Sequence, residues 1–287
     1  MTGDRTDRIG QVIGLRFRLD ALIGKGAMAH VYRALDLHTS AYVAIKILRV
    51  AIDHDPAARQ RFAREAEVQE RIRHHNVAAL LGTGVTENDE PFLAVELLHG
   101  KTLRDVIKVS KTSNERVAPR RAASYAWQAL QGLAAVHAAG VVHRDLKPAN
   151  IMLEPSPGPV ERVVLIDFGF AAVEGSAKLT QAGTVVGSLT YMAPERLRGE
   201  AIDQRSDLYA MGVILYELLV GAPPFVGTDD YDLVDKHLEA PPPPLGDAFP
   251  AALDELIQVA LAKQPADRYE SAAAMAATLE EAVRNLG

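Results

Sequence analysis

The stretch His143-Arg144-Asp145-Leu146-Lys147-Pro148-Ala149-Asn150 is followed, a short way along the chain, by Val164-Leu165-Ile166-Asp167-Phe168-Gly169. Asp145, Asn150 and Asp167 offer carboxylate and amide oxygens, the hard ligands that Mg²⁺ prefers, and Lys147 adds a positive charge beside them. Such a set suits a magnesium-bound triphosphate. Each residue also has a simpler explanation alone, since Asp145 could cap a turn and His143 could be a satisfied core histidine. Their joint occurrence at this spacing favours a chemical site.

The composition is that of an ordinary globular protein, and it narrows the range of partners. The 287 residues suffice for one large domain with a real core, and 48% of them are hydrophobic while 24% are charged. The net charge of −6 argues against a dedicated nucleic-acid binder, which normally has a basic face. The sequence contains no cysteine, so disulfides and thiolate zinc sites are excluded.

The distribution of charge predicts no membrane contact from this segment. Asp4 and Arg8 come early, and no apolar signal region follows them. The most apolar run, Leu208 to Val220, is interrupted by Glu217 and is shorter than the roughly 20 residues that span a bilayer. We therefore expect a cytoplasmic location, either for this chain alone or as the cytoplasmic domain of a longer membrane-anchored protein.

Periodicity predicts a strand-rich first part and a helical second part, an α+β class. Strands are expected at 16–19, 30–34, 41–48 and 92–97, and Asp55-Pro56 predicts the start of one main helix among them. Further helices are expected at 120–139, 206–220, 253–263 and 271–285. Surface loops are expected at 111–119, 154–161 and 240–247. The simplest architecture is a small antiparallel sheet lobe followed by a larger, mostly helical lobe, with a hinge near Glu96 to Gly100.

A glycine-containing stretch and a lysine on a strand are two weaker signals. The stretch Gly24 to Val31 lies between strand signals, and glycines let a backbone bring its N–H groups close to phosphates. Taken alone, it is better explained as a plain hairpin turn, and no helix follows it as in a dinucleotide fingerprint. Lys46 shares an apolar strand face with Ala44 and Leu48, where an unpaired ammonium would be costly. Taken alone, Lys46 is better explained as a lysine that reaches solvent from an edge strand.

A carboxylate on the predicted helix favours a buried, paired Lys46 over a lysine that reaches solvent. Phe62, Val68 and Ile72 form an apolar stripe, and helical spacing places Glu65 close to it. A carboxylate and an ammonium on two buried faces invite pairing, so we expect Glu65 to pair with Lys46. A glutamate at the margin of the stripe is the alternative.

In their order along the chain, these strings resemble the signatures of the eukaryotic-type protein kinases, and the resemblance covers about Leu15 to Leu279. Ala193-Pro194-Glu195 resembles the end of the activation segment. Asp207 stands where the family has the aspartate that braces the catalytic loop, and Arg268 matches the arginine that pairs with Glu195. The sequence is most similar to bacterial serine/threonine kinases. The implied fold is the protein-kinase-like bilobal fold.

The resemblance implies a role for each residue of the central strings. Asp145 would accept the proton of the substrate hydroxyl, and Lys147 would neutralise charge on the transferred group. Asn150 and Asp167 would hold Mg²⁺, with Mn²⁺ as an alternative.

Other residues are implied as ATP-binding. Lys46 would grip the α- and β-phosphates while Glu65 fixes it, and Val95 would be the gatekeeper. The remaining implied ATP-binding residues are Ile23, Gly24, Lys25, Gly26, Ala27, Met28, Ala29, His30, Val31, Ala44, Glu96, Leu98 and Met152.

Two positions depart from the family pattern. Ala29 replaces the third glycine of the phosphate loop, and we expect only a modest effect because the residue is small. Ser188 stands where the family most often has threonine. A serine hydroxyl can still bond both Asp145 and Lys147, so the implied site stays plausible.

Arg144 implies regulation. In the family this arginine binds a phosphorylated residue of the activation segment through charge-assisted pairing. That segment offers Ser176, Thr180 and Thr184 here. We predict autophosphorylation at Thr180 or Thr184, with Thr180 preferred.

The expected function is that of a non-specific, ATP-dependent serine/threonine protein kinase. The lysine at 147 favours serine and threonine acceptors over tyrosine. The alternatives are a pseudokinase-type ATP-binding scaffold and a small-molecule phosphotransferase. The expected layout is an N-terminal extension at 1–14, a catalytic domain at 15–282 with lobes 15–98 and 99–282, and a tail at 283–287. Because bacterial relatives often dimerise through the small lobe, a homodimer of that kind is expected besides protein substrates.

Overall fold

Alternating apolar residues in the first hundred positions form a curled antiparallel sheet. The computed structural model describes residues 8–26, 29–48, 66–113, 116–158, 160–167 and 189–284. Within these ranges six strands pair in the order β1-β2-β3-β4-β6-β5. The strands are β1 (Val12–Ile13), β2 (Phe17–Lys25), β3 (Ala29–Asp36), β4 (Tyr42–Leu48), β5 (Leu80–Val85) and β6 (Pro91–Glu96).

All four predicted strands overlap observed ones, with bounds that differ by a few residues, whereas β1 and β5 were not predicted. β5 carries Gly82 and Gly84, which weaken the strand signal in the sequence. The structure explains Gly84, because a Cβ at this position would lie 2.7 Å from the ring of Phe92 on the neighbouring strand. β1 lies within the predicted N-terminal extension and pairs with β2.

The inner face of this sheet forms a small hydrophobic core. Val43, Ile45 and Ile47 of β4 are buried there, as the strand period predicts, together with Tyr32 and Phe92. The predicted helix that begins at Asp55-Pro56 lies outside the described residues, apart from a helical piece at 66–70.

The described part of the chain after Gly100 is mostly helical, and within it three strands form a small antiparallel sheet in the order β7-β8-β9. Its strands are β7 (Lys101–Thr102), β8 (Ile151–Glu154) and β9 (Arg162–Leu165). Its helices are α1 (Leu103–Ser113), α2 (Pro119–Ala138), α3 (Pro194–Arg198), α4 (Gln204–Val220), α5 (Asp230–Glu239), α6 (Ala251–Ala260) and α7 (Ala272–Val283).

Helix α4 is the centre of the second core. Its apolar residues face every direction, and nearly all of them are buried. Asp203 caps its start by accepting from Arg205 N, and Gly221 ends it with a φ of 88°. A Cβ at Gly212 would lie 2.8 Å from the Cβ of Ala260, so α4 and α6 pack at close range because of this glycine.

The four helices predicted after residue 119 are confirmed within a few residues, but α1, α3 and α5 were not predicted. Only Leu103 and Ile107 are buried on α1, and only His237 on α5, because both helices are short and carry few apolar residues. The loop predicted at 111–119 is therefore wrong in its first part, because α1 extends to Ser113.

Residue contacts divide the described chain into two units. The first contains residues 8–74 and 78–98, and the second contains 75–77 and residues from 99 onward. The first unit carries the six-stranded sheet, and the second carries the helices and the small sheet. Among the described helices, none combines the length and apolarity needed to cross a membrane.

Asp36 and Arg16 form a bidentate pair that fastens the end of β3, and the stability of the chain should depend on it. The two nitrogen–oxygen distances are 2.9 and 2.7 Å, and the Thr39 hydroxyl donates to the same carboxylate at 2.9 Å. The hydrogen bond from Arg16 is the main reason that the pKa of Asp36 lies well below its ordinary value. A lowered folded-state pKa contributes stability above the unfolded pKa, and this stability is lost as the pH falls. We expect Asp36→Asn to lower the free energy of unfolding by about 1–3 kcal/mol at neutral pH.

Urea unfolding as a function of pH checks this expectation. The difference between wild type and Asp36→Asn should narrow once the pH falls below about 4, the ordinary pKa of an aspartate. Asp20→Asn is the matched control, because Asp20 forms an exposed pair with Arg18 and should contribute little. A difference that stayed constant down to low pH would contradict the role of the Asp36 charge.

Candidate catalytic site

The predicted catalytic loop lies in the second unit, between α2 and β8. Lys147 Nζ lies 2.7 Å from Asp145 Oδ2. Asn150 Nδ2 donates to the same Oδ2 at 3.0 Å and to the main-chain carbonyl of Asp145 at 2.8 Å. A 3₁₀ turn at Pro148–Asn150 folds the chain back and so makes this approach possible. Three of the residues singled out in the sequence are therefore in direct contact.

Strand pairing brings Asp167 to the same edge of the small sheet as Asn150. Ile151 of β8 lies opposite Leu165 of β9, and Ile166 N donates to Asn150 O at 3.0 Å. Asn150 precedes β8 and Asp167 follows β9, so antiparallel pairing places them at one end. Asp167 has a φ of 59°, a conformation that side-chain-bearing residues adopt rarely and that is common at functional sites.

Asp207 braces the loop from the first turn of α4. This buried carboxylate accepts from His143 N at 2.8 Å and from Arg144 N at 2.9 Å. Its Oδ2 also lies 2.8 Å from His137 Nε2. These hydrogen bonds to the backbone of the loop agree with the bracing role that the resemblance implied for Asp207. Burial lowers the pKa of His143, which keeps this ring neutral next to the brace.

The glycine-containing stretch is a hairpin connection whose described glycines lie close to neighbouring atoms. It joins β2 to β3, with Gly24 opposite Val31, and Gly26 N donates to Ala29 O at 2.9 Å. A Cβ at Gly24 would lie 3.4 Å from Val31 Cβ, and one at Gly26 would lie 3.3 Å from Ala29 O. The hairpin interpretation of the stretch is therefore confirmed, and the phosphate-binding interpretation stays a prediction. Met28, together with residue 27, lies outside the described residues.

Lys46 lies on an interior strand. β4 pairs with β3 on one side and β6 on the other, and Lys46 lies opposite Val31 and Leu93. The explanation of Lys46 as an edge-strand lysine is therefore wrong. Its neighbours Ala44 and Leu48 are buried, while Lys46 is half-buried.

The other residues implied for ATP binding are divided between the two units. Met152 lies on β8 in the second unit and is half-buried. Glu96 ends β6 in the first unit, where its N–H donates to Ala79 O at 2.9 Å. In the first unit lie also Ile23, Lys25, His30, Val95 and Leu98. Glu65, the expected partner of Lys46, lies outside the described residues.

The sequence matches the family model described as a protein kinase domain over residues 17–279. This chain is a member of the protein kinase family. It is 40% identical to the serine/threonine-protein kinase pkn3 of Myxococcus xanthus, over 97% of this chain and 52% of that protein. It is 37% identical to the probable serine/threonine-protein kinase PknB of Corynebacterium glutamicum, over 96% of this chain and 43% of that protein. The chain thus spans about half the length of the curated relatives it matches.

A solved kinase domain has the same fold. The kinase domain of Mycobacterium tuberculosis PknI is 26% identical to this chain, with a TM-score of 0.73, over 95% of this chain and 98% of that one. The predicted protein-kinase fold, with an antiparallel sheet unit and a mostly helical unit, is confirmed.

The kinase domain contains the buried ion pair that the resemblance implied. Arg268 forms two hydrogen bonds to Glu195, at 2.8 and 2.7 Å, and both side chains are almost fully buried. Burial raises the pKa of Glu195, but hydrogen bonds from Arg268 and Ser206 outweigh burial and bring the pKa below its ordinary value. The carboxylate is therefore charged at neutral pH and depends on Arg268.

A second buried carboxylate of the kinase domain was not assigned a partner from the sequence. Glu217 on α4 accepts from Lys111 Nζ at 2.8 Å and from the Tyr191 hydroxyl at 2.7 Å. Burial, reinforced by Glu217, raises the pKa of Tyr191. An acidic residue inside an apolar run is a sequence signal that a partner exists, although it does not say which one.

Two more contacts had no sequence signal: His137 on α2 contacts the brace Asp207, and Arg196 on α3 contacts the catalytic loop. Ser176, Thr180, Thr184 and Ser188 lie outside the described residues.

Proposed function

We propose that this kinase domain transfers the γ-phosphoryl group of ATP to serine or threonine hydroxyls of proteins. The observation that carries the proposal is the contact set of Asp145, whose Oδ2 accepts from both Lys147 and Asn150. Among the described residues none donates to its Oδ1, the oxygen that we propose takes up the proton of the substrate hydroxyl. The names of the two relatives, both serine/threonine kinases, support the acceptor class.

The residues around Asp145 suit proton acceptance in an in-line transfer. Two donors on one carboxylate oxygen fix the rotation of the Asp145 carboxylate, so Oδ1 can take up the proton of the hydroxyl. Lys147 is close enough to neutralise charge that develops on the transferred group. The brace by Asp207 holds the backbone of this loop against α4.

The donor set also suits a divalent metal. Asn150 uses its Nδ2 for Asp145, which leaves its amide oxygen for a cation, and Asp167 adds an exposed carboxylate. The described residues contain no group of three or more His, Cys, Asp or Glu that could hold a metal ion. Mg²⁺ fits such a sparse set, because it keeps several waters and takes one or two carboxylates besides substrate phosphates. We propose Asn150 and Asp167 as ligands of Mg²⁺, or of Mn²⁺, which when bound would neutralise phosphate charge.

For ATP itself we propose the contacts that the family resemblance implies. Lys46 would bind the α- and β-phosphates, with Glu65 as its partner, and the backbone of the β2–β3 hairpin would approach the phosphates. The half-buried position of Lys46 on an interior strand supports this proposal.

The two alternatives have less support. A pseudokinase scaffold would be expected to lack one of Lys46, Asp145, Asn150 or Asp167, and all four are present. A small-molecule phosphotransferase of this fold would usually lack the pair of Glu195 and Arg268, which is present and buried.

Phosphoamino-acid analysis tests the proposal. The purified chain is incubated with γ-labelled ATP, Mg²⁺ and a generic basic protein, and we expect labelled phosphoserine or phosphothreonine. Asp167→Asn, prepared in parallel, should incorporate far less label. Label in phosphotyrosine alone, or equal label with both proteins, would contradict the proposal, as would transfer to small molecules but to no protein.

Autophosphorylation of the activation segment is proposed at Thr180 or Thr184, with Thr180 preferred. The Arg144 side chain supports this proposal, because no described residue accepts a hydrogen bond from its guanidinium while its backbone is held. We expect Thr180→Ala combined with Thr184→Ala to lower activity about 5–150-fold, the usual range for coupling between two sites. A kinase assay measures the activity, with Ser176→Ala as control. Intact mass and phosphopeptide mapping of the wild type locate the phosphate. Phosphate found only outside the segment would exclude this mechanism.

A homodimer through the first unit and a cytoplasmic location are also proposed. Apolar side chains of the first unit that lie open to solvent, Ile9, Val12 and Leu15, support a contact surface there.

A further inference from the structure

Arg196 holds the peptide group that leads into Asp145. Its Nη1 donates to the main-chain carbonyl of Arg144. That carbonyl belongs to the planar peptide group joining Arg144 to Asp145. We propose that Arg196 is a positioning residue for Asp145, an inference that rests on the proposed kinase activity and adds a residue to it.

The other side of Arg144 is held by a different helix. Asp207 on α4 accepts from Arg144 N at 2.9 Å. The φ of Arg144 is 67°, a left-handed conformation that a residue with a side chain keeps only where its surroundings hold it. Asp207 and Arg196 thus hold the N–H and the C=O of the same residue. Without Arg196, the peptide plane between Arg144 and Asp145 can rotate while the N–H stays bound.

The backbone of Arg196 is itself anchored. The preceding residue, Glu195, is buried in its pair with Arg268 and also accepts from the Ser206 hydroxyl. Arg196 N donates to Ala193 O at 3.0 Å. The start of α3 therefore cannot shift without breaking the buried pair. A guanidinium on this fixed backbone donates a charge-assisted hydrogen bond, which is stronger than one from a neutral donor.

The bonds within the loop do not replace this anchor. Lys147 and Asn150 orient the Asp145 carboxylate, but both belong to the same loop. They fix the shape of the loop and not its position against the helices. Asp207 and Arg196 are side chains from outside the loop that attach its upstream end to α4 and α3.

Steady-state kinetics of three variants test the proposal. Arg196→Met keeps the length of the side chain and removes its donors, and we expect kcat to fall about 10–100-fold because small misplacements of a catalytic group are costly. The KM values for ATP and for the protein substrate should stay near those of the wild type. Arg196→Lys should restore part of kcat, because an ammonium can still donate one bond. Arg198→Met, an exposed arginine on the same helix, should behave like the wild type.

A wild-type kcat in Arg196→Met would overturn the proposal. The proposal would also be overturned if the fall in kcat only matched a loss of folded protein. A raised KM at unchanged kcat would overturn it as well.

Hydrogen exchange provides a readout that does not need activity. In Arg196→Met the amides of the loop from His143 to Asn150 should exchange faster than in the wild type, while the melting temperature stays the same. If the wild type shows no Asp145-dependent phosphoryl transfer, the proposed function fails. Hydrogen exchange of the loop amides then still tests whether Arg196 holds the loop. Unchanged protection of the loop in Arg196→Met would then reject the role of Arg196.

Discussion

Asp145→Asn is expected to lower the turnover of phosphoryl transfer by about 10²–10⁴-fold, the usual contribution of a positioned proton acceptor. Asparagine has nearly the same shape as aspartate, so the hydrogen bond from Asn150 to the main-chain carbonyl of Asp145 can persist. The variant loses the negative charge that accepts the substrate proton and that faces Lys147 at 2.7 Å. Because the side chain is partly exposed in a loop, the melting temperature should change little. The measurement is kcat with saturating Mg²⁺ and ATP.

The KM for ATP separates this role from a role in nucleotide binding. No atom of Asp145 is assigned to the nucleotide, so the KM for ATP should stay close to the wild-type value while kcat falls. Asp247→Asn is the matched control, because it makes the same change of charge at an exposed position. A variant that kept more than about half of the wild-type turnover would remove Asp145 from the reaction.

Arg268→Ala is expected to cost about 3–5 kcal/mol in the free energy of unfolding, because it leaves a buried charge without its partner. Arg268 bonds Glu195 through two nitrogens and also donates to the carbonyl of Ala262 at 2.8 Å. Its guanidinium lies 4.8 Å from the ring centroid of Tyr209, so packing is lost as well. A loss of this size is a large fraction of the 5–15 kcal/mol that holds a typical domain together.

Urea unfolding measures this loss, and two further variants show its cause. Glu195→Gln combined with Arg268→Ala leaves the same space at position 268 but no stranded charge, so it should be less destabilised than Arg268→Ala alone. Arg198→Ala removes an exposed arginine and should change stability by no more than about 0.5 kcal/mol. If the double variant were as unstable as Arg268→Ala, lost packing and not the stranded charge would be the cause.

The order of elements and the identity of the family were within reach of the sequence. Strand and helix periods are local properties, which is why the four predicted strands and the long helices were found. The strings around Asp145 and Asp167 are also local, and they were sufficient to identify the family resemblance. The short helices α1 and α5 were not predicted because each carries few apolar residues, and only two residues and one residue of them are buried.

The position of Lys46 shows what a period cannot decide. Alternation assigned Lys46 to an apolar strand face, but it gave no information on the neighbours of β4. Pairing with both β3 and β6 makes the strand interior, and the pairing with β6 joins residues about fifty positions apart in the chain. The sequence was therefore compatible with an edge strand, and only the pairing of the strands excludes it.

For the catalytic loop, too, the sequence determined one part of the site and the tertiary structure decided the other. The sequence by itself determined which residues carry the chemistry, because Asp145, Lys147 and Asn150 lie within one short string whose spacing is specific. Only the tertiary structure decided what holds that string, namely Asp207 from α4 and Arg196 from α3. The physical reason is that the free energy of a buried or strained group demands a partner, but many distant residues can satisfy that demand. The packing of the helices selects which of them does.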